Sequence, residues 1–189
     1  QRGAMNEPET NVDIQLSVIV PLHNEQDNID PLHTQLGAVL GSLGLAYELL
    51  FVDDGSTDDT EAVLGQLDGK DPNLCVIRHD LRRGKAAALE SAFAHANGRW
   101  LLIMDGDQQY DPADIPALLD ALRGGGDVVV GCRDQRVDPW GRRTASRVYN
   151  ALVNGLSGTR FRDHFSGIKG FRAGALQEMS LAGGLLRFP

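Results

Sequence analysis

Five short apolar runs punctuate the chain. They are "LSVIV" at 16–20, which ends at Pro21, and "YELLFV" at 47–52, which ends at Asp53-Asp54-Gly55. "LCVIR" follows at 74–78, "WLLIM" at 100–104 runs into Asp105, and "DVVVG" lies at 127–131. Continuous aliphatic runs of this length suit strands covered on both faces. Between them the spacing of apolar residues predicts helices over roughly 29–43, 58–67, 84–97 and 112–123. Thr57 or Asp58 is placed to cap the second helix, and Asp111-Pro112 gives the fourth a cap followed by proline at its first position. Gly98 and Gly124 are read as stops. Alternation of strand and helix predicts an α/β fold, a mostly parallel sheet with helices on both faces.

Ligands of such sheets bind beyond the carboxyl ends of the strands, near the point where strand order reverses. Pro21-Leu22-His23-Asn24-Glu25, Asp53-Asp54 and Asp105-Gly106-Asp107 each follow a predicted strand, so they are expected to share one rim. Burying like charges together costs several kcal/mol each, on the order of the penalty for a desolvated ion. A cluster of acids there therefore calls for something positive.

Bulk properties narrow the classes. The 189 residues suffice for one domain with a real core. No apolar run reaches the ~20 residues that span a bilayer. The polar start, "QRGAMNEPETNVDIQ", has no apolar centre and is not expected to act as a secretory leader. Residues 1–15 are expected to be a flexible segment, with the residues before Met5 an expression remnant, and 16–189 a single domain. Cys75 and Cys132 form no spaced metal or redox motif and read as reduced residues of a cytosolic protein.

The net charge of −8 argues against a nucleic-acid binder. It conceals an asymmetry: residues 133–172 hold nine basic and three acidic side chains, a net of +6, against −14 elsewhere. A basic section facing an acidic front suggests an anionic ligand between them.

Three chemistries compete for the rim. A dinucleotide fold needs a glycine-rich turn after the first strand, and "PLHNEQDN" has none; Gly84-Lys85 lacks the glycine spacing of a phosphate loop. A phospho-accepting receiver would open with the acid-bearing strand, whereas here a strand and helix come first and some 80 residues follow Asp107. A nucleotide-sugar transferase must release a diphosphate, which a hard divalent cation held by oxygen ligands can neutralise. Asp105-Gly106-Asp107 supplies carboxylates at a strand end, and Gln109 an amide oxygen. An acid pair in a loop is ordinarily a solvated turn. The second acid pair on the same rim gives this one its weight.

Taken together, "VIVPLHNEQDNI", "LLFVDDGSTDDT", "GKAAALESAFAHANG", "IMDGDQQYDP" and "FSGIKGFR" resemble the family 2 glycosyltransferases of GT-A fold, in the right order over nearly all of 16–180. Gln109 after the acid pair, "GCRDQRVDPWGRRTASRVYN" and "RDHFSGIKGFR" resemble the polyprenyl-phosphate branch, which includes dolichol-phosphate mannosyltransferases and bacterial undecaprenyl-phosphate sugar transferases. The later Gln-x-x-Arg-Trp motif of the cellulose-synthase type is absent.

This resemblance implies residue roles. Pro21, His23 and Glu25 match the motif that holds base and ribose, and Val52 and Asp54 the nucleoside-recognising pair. Asp105 and Gly106 match positions beside the nucleotide and donor sugar, and Asp107 and Gln109 the ligands of Mg²⁺ or Mn²⁺. Arg133, Arg142, Ser146 and Arg172 match polar positions around the phosphates: Arg133 and Arg172 on the donor, Arg142 and Ser146 on the acceptor. Asp105, Asp107, Arg142 and Asp163 form the implied catalytic set, with Asp163 either a hydroxyl-activating base or the holder of an arginine. Two departures stand out. His23 replaces the commoner tyrosine, and the chain stops at "LLRFP", before the family's later Arg-x-x-Gly-x-Ser-Lys segment, so the domain is expected to be truncated there.

The implied reaction moves a hexose from a nucleotide diphosphate, UDP favoured and GDP-mannose open, to a polyprenyl phosphate with inversion. A family member acting on a hydroxyl acceptor is the alternative. On a helical wheel, residues 140–156 place Trp140, Thr144, Val148, Ala151, Leu152 and Leu156 on one half and Arg142, Arg143, Ser146, Arg147, Asn150 and Asn154 on the other. That pattern fits a surface helix packed on the sheet or one at a membrane surface with cations toward lipid phosphate. The expected location is the cytoplasmic face of a membrane, held peripherally.

Overall fold

The computed structural model describes residues 13–131 and 167–175. The chain alternates β1 (Leu16–Leu22), α1 (Gln26–Ser42), β2 (Tyr47–Asp54), α2 (Thr60–Leu67), β3 (Leu74–His79), α3 (Lys85–His95) and β4 (Trp100–Ile103). A 3₁₀ turn (Pro112–Asp114), α4 (Ile115–Arg123), β5 (Val128–Val130) and β6 (Lys169–Arg172) follow. One six-stranded sheet results, in the order β3-β2-β1-β4-β6-β5. β1 pairs in parallel with β2 and β4, and β2 with β3, while β6 runs antiparallel to both β4 and β5. Strand order reverses between β1 and β4, which places the crevice over that junction.

Side chains alternate across the sheet, as the pleat requires. Val18, Val20, Leu49, Phe51 and Leu102 pack under α1, α2 and α4 through Leu32, Leu36, Leu64, Ile115 and Leu119. Ile19, Leu50, Val52, Leu101 and Ile103 pack under α3 through Ala88, Leu89 and Ala92. Both faces are therefore covered, which explains why the strands read as unbroken apolar runs rather than as alternation.

Several boundaries differ from the pattern, each for a physical reason. β1 continues through Pro21 to Leu22. Gln15 and Ile19 turn their carbonyls toward β4, so Pro21 also faces that side, where β4 pairing stops at Ile103. Its missing N–H therefore breaks no ladder bond. α2 starts at Thr60 rather than 58, with Asp58 Oδ1 accepting from the Thr60 N–H (3.1 Å). α3 ends at His95, short of Gly98. Gly98 instead lies against β1, where a Cβ would overlap the Ser17 backbone. Gly124 does stop α4, and Asp111 caps the 3₁₀ turn through the Ala113 N–H (2.9 Å). β6 was not foreseen: "KGFR" is a short strand of mixed polarity. Arg133, Arg142, Ser146, Asp163 and the helical reading of 140–156 lie outside the described residues.

Candidate active site

The loop after β1 and the loop after β2 are stitched together. His23 Nδ1 donates to the Asp54 carbonyl (3.1 Å), and the Asn24 N–H donates to Ser56 Oγ (3.0 Å). Asn24, in the left-handed region at φ 58°, returns its Oδ1 to the Thr57 N–H (2.8 Å). The Glu25 N–H donates to Thr60 Oγ1 (3.0 Å), and Gln26 Oε1 accepts from the Asp59 N–H (2.9 Å). Asp53, nearly buried, takes both the N–H (3.0 Å) and the hydroxyl (2.6 Å) of Ser56 and so fixes the turn.

Asp54 does different work. Its Oδ1 accepts from His79 Nδ1 (2.8 Å) and the Arg83 N–H (2.9 Å), and its Oδ2 from the Gly84 N–H (2.7 Å). An ionised carboxylate only accepts, so His79 must carry its proton on Nδ1. His79 Nε2 meets Ser91 Oγ on α3 at 2.9 Å. Burial by itself pushes the Asp54 pKa up, but the bonds from His79, Arg83 and Gly84 outweigh it, and the carboxyl titrates below the ordinary value of 3.8. Asp54 thereby ties the loop 80–84 to the end of β2. That loop ends at Gly84, φ 92°, from which α3 starts with Lys85.

Lys85 reaches across to the Asp105 carboxylate. Gly167 also lies close against the Asp105 carboxylate and the Tyr110 ring, and the Gly167 N–H donates to the Tyr110 hydroxyl (2.5 Å). Gly106 passes so close to β1 that a Cβ there would overlap the tip of the Leu22 side chain and push it aside. Asp107 is exposed, with Oδ1 accepting from the Gln109 N–H (3.1 Å), and Gln109 is exposed beside it.

These pieces enclose an open cavity of about 240 Å³ lined by Pro21, Leu22, His23, Glu25, Asp54, Arg82, Lys85, Ala88, Asp105, Gly106 and Asp107. Of the residues read from sequence, Pro21, His23, Glu25, Asp54, Asp105, Gly106 and Asp107 thus converge. Val52 lies fully buried beneath α3 and does not line the cavity. Arg172 is not brought to the rim. In antiparallel β6 it pairs with Trp100 at the start of β4, while Lys169 pairs with Ile103 at the rim end. Three residues of strand, roughly 10 Å, separate the two levels, and Arg172 is bound to Asp127 (2.7 and 2.8 Å). Sequence reasoning missed Arg82 and Lys85. Their signal was basic residues at a predicted strand-to-helix junction on the same rim.

The oxygen donors suit a hard cation. Among the described residues no group of three His, Cys, Asp or Glu converges as a metal cage. A carboxylate from Asp107 with an amide oxygen from Gln109 would leave the remaining positions to diphosphate and water, as Mg²⁺ and Mn²⁺ accept. The Lys85 contact leaves Asp105 as a neutralised partner rather than a second open carboxylate.

Gly167 offers a direct check on this assembly. A methyl group there would overlap the Asp105 carboxylate and the Tyr110 ring. Gly167→Ala is expected to cost about 1–3 kcal/mol by overpacking, read as a lower melting temperature. Gly37→Ala, on α1 with no atom within 4 Å of the new Cβ, is expected to be neutral or stabilising. Equal melting of the two variants would contradict the packing described.

Comparison with known proteins bears on the family and the fold. The family model for glycosyl transferase family 2 matches residues 17–180. The undecaprenyl-phosphate 4-deoxy-4-formamido-L-arabinose transferase of Edwardsiella ictaluri is 34% identical over 166 residues, covering 87% of this chain and 51% of that protein. The dodecaprenyl-phosphate galacturonate synthase of Rhizobium johnstonii is 34% identical over 179 residues, covering 93% and 53%. The chain thus spans about half the length of these curated relatives. Glucosyl-3-phosphoglycerate synthase from Mycobacterium tuberculosis, solved with Mn²⁺, uridine diphosphate and phosphoglyceric acid, superposes with a TM-score of 0.67 at 24% identity, covering 85% of this chain and 56% of that one.

Proposed function

Because the chain belongs to glycosyl transferase family 2 and has the GT-A fold, we propose that it transfers a hexose from a nucleotide diphosphate sugar to a polyprenyl phosphate with inversion. The observation that carries the reading is the cavity itself: acids at the ends of β1, β2 and β4 meet Lys85 and Arg82 at the reversal of strand order. Relatives at 34% identity are named as polyprenyl-phosphate sugar transferases, which supports the acceptor class.

In the proposed step an acceptor phosphate oxygen attacks the anomeric carbon, the bond from that carbon to the diphosphate breaks, and the nucleoside diphosphate leaves with the electron pair. A phosphate monoester, second pKa about 6, is already an anion at neutral pH and needs no base. The cavity agrees with that economy. Of the four carboxylates that line it, three are engaged by side-chain or backbone donors: Asp54 by three, Asp105 by Lys85, Glu25 by the Asn28 amide (2.6 Å); the fourth, Asp107, is the one assigned to the metal. Bound Mg²⁺ or Mn²⁺, held by Asp107 and Gln109, would neutralise the leaving diphosphate. Lys85 and Arg82 add positive charge to the same wall, and His23, which lines the cavity, is assigned to the nucleoside. The acceptor phosphate is assigned to Arg142 and Ser146, whose four-residue spacing would put them on one side of a helix if that segment is helical. A UDP-sugar is the favoured donor, and the protein is expected to work peripherally at the cytoplasmic face of a membrane.

A panel of UDP, GDP and CMP sugars with Mn²⁺, read by thermal shift, is expected to single out UDP, and radiolabelled sugar is expected to pass to a short polyprenyl phosphate. Preference for GDP would overturn the donor. Transfer only to a hydroxyl acceptor would overturn the acceptor and move the protein to another branch of the family.

A further inference from the structure

Leu81 is 77% exposed, the only large apolar side chain so presented among the described residues. One exposed leucine is ordinary on a protein surface; three further observations make this one different. First, its loop is held fast. Gly55, at φ 63°, lets the backbone of Leu81 and Arg82 lie directly against the turn after β2, where any Cβ would overlap it. The next two N–H groups, of Arg83 and Gly84, are bound to buried Asp54. The side chain is therefore exposed by a fixed backbone, not by a loose one. Second, Arg82, Arg83 and Lys85 are all exposed beside it. They are three of the nine lysines and arginines within the described residues, which hold twenty acids. An anionic surface attracts this edge and repels much of the remaining body. Third, the loop stands at the cavity, which Arg82 and Lys85 help to line.

From this we infer that the loop 80–84 is a membrane-contact element, with Leu81 inserted among the headgroups of an anionic bilayer and Arg82 and Arg83 against lipid phosphates. Leu81 is preceded by exposed Asp80 and followed by Arg82 and Arg83, so the loop carries a net positive charge, and an apolar tip with excess cations is the composition that partitions into such an interface. No helix among the described residues is long and apolar enough to cross a membrane, so contact by a short surface element is the geometry available to them. The inference rests on the polyprenyl-phosphate reading for its purpose: it would bring the cavity mouth to the lipid-borne acceptor. Its evidence is independent of that reading.

Sedimentation with phosphatidylglycerol and phosphatidylcholine vesicles, both free of polyprenyl phosphate, tests it. The parent chain is expected to bind the phosphatidylglycerol vesicles, release from them at high salt, and bind phosphatidylcholine weakly. Leu81→Ser is expected to weaken binding on the order of ten-fold, from the apolar area no longer buried. Leu81→Trp is expected to strengthen it, since tryptophan favours the interface. Both variants should keep the parent's melting temperature and its response to metal and UDP. Absence of parent binding, or equal binding by the serine variant, would overturn the inference. So would a parent dimer that Leu81→Ser dissociates, because a second copy would then be what covers Leu81. Vesicle binding that depends on Leu81 without transfer to polyprenyl phosphate would leave this inference standing and sink the acceptor assignment alone.

Discussion

Asp107→Ala is expected to weaken metal-dependent nucleotide binding a hundred-fold or more, about 2.7 kcal/mol. Asp107 is exposed at the cavity, and its Oδ1 accepts a local N–H, that of Gln109 (3.1 Å). Asp105 is tied to Lys85, and Asp54 is saturated. The control is Asp111→Ala. Asp111 caps the following turn through the Ala113 N–H (2.9 Å) and lies off the cavity. Its loss should cost about 0.5–2 kcal/mol of stability as a cap and leave binding near the parent's. Calorimetric titration of UDP with and without Mn²⁺ separates the two. If Asp107→Ala binds as the parent does, or if Asp111→Ala is the variant that loses binding, the assignment of the metal ligands is wrong.

The order of strands and helices was legible because the sheet is covered on both faces. Runs such as "LLFV" and "WLLI" could then be apolar at every position, and their number and spacing carried the architecture. What escaped was set by tertiary contacts. β2 runs on to Asp53 and Asp54 because donors arrive from Ser56 nearby and from Arg83 and Gly84 some thirty residues away. Without those donors two carboxylates would not end a buried strand. β6 escaped because an antiparallel strand inserted between β4 and β5 needs only four residues, and Gly170 in it is demanded by Leu102 and Leu122 pressing on that position.

The site was legible in proportion to how local it is. Residues directly following β1, β2 and β4 fell on one rim once the sheet was known to be parallel. Arg172 shows the limit: resemblance supplied a residue type, but only the direction of β6 decides which end of the sheet it occupies, and that end belongs to Asp127. Lys85 shows the converse. Judged as part of a phosphate loop it failed on glycine spacing, yet its partner is Asp105, twenty residues on. Neither ion pair follows from spacing along the chain, because each joins elements that are distant in sequence: β6 to the residue before β5 for Arg172, and the start of α3 to the end of β4 for Lys85.

Asp54→Ala is expected to be the most damaging single change among these rim residues. It strands three donors, His79 Nδ1 and the Arg83 and Gly84 N–H groups, and the Asp54 and His79 side chains are each only 5% exposed. Breaking a buried pair by removing one partner costs about 3–5 kcal/mol. The pH dependence gives a second signature. The folded pKa of Asp54 lies below its ordinary value of 3.8, so the ionised carboxylate stabilises the fold fully above that value, and the contribution is lost as pH falls through the folded pKa. The stability difference between parent and Asp54→Ala should therefore narrow below about pH 4. Urea unfolding at pH 7, 5 and 3, within the range where carboxylates titrate, measures it. The same variant releases the loop 80–84, so Arg82 and Lys85 lose their fixed places and UDP affinity should fall roughly ten-fold even where the fold persists. A variant that unfolds like the parent, or a difference that stays constant down to pH 3, would show that Asp54 does not hold the loop.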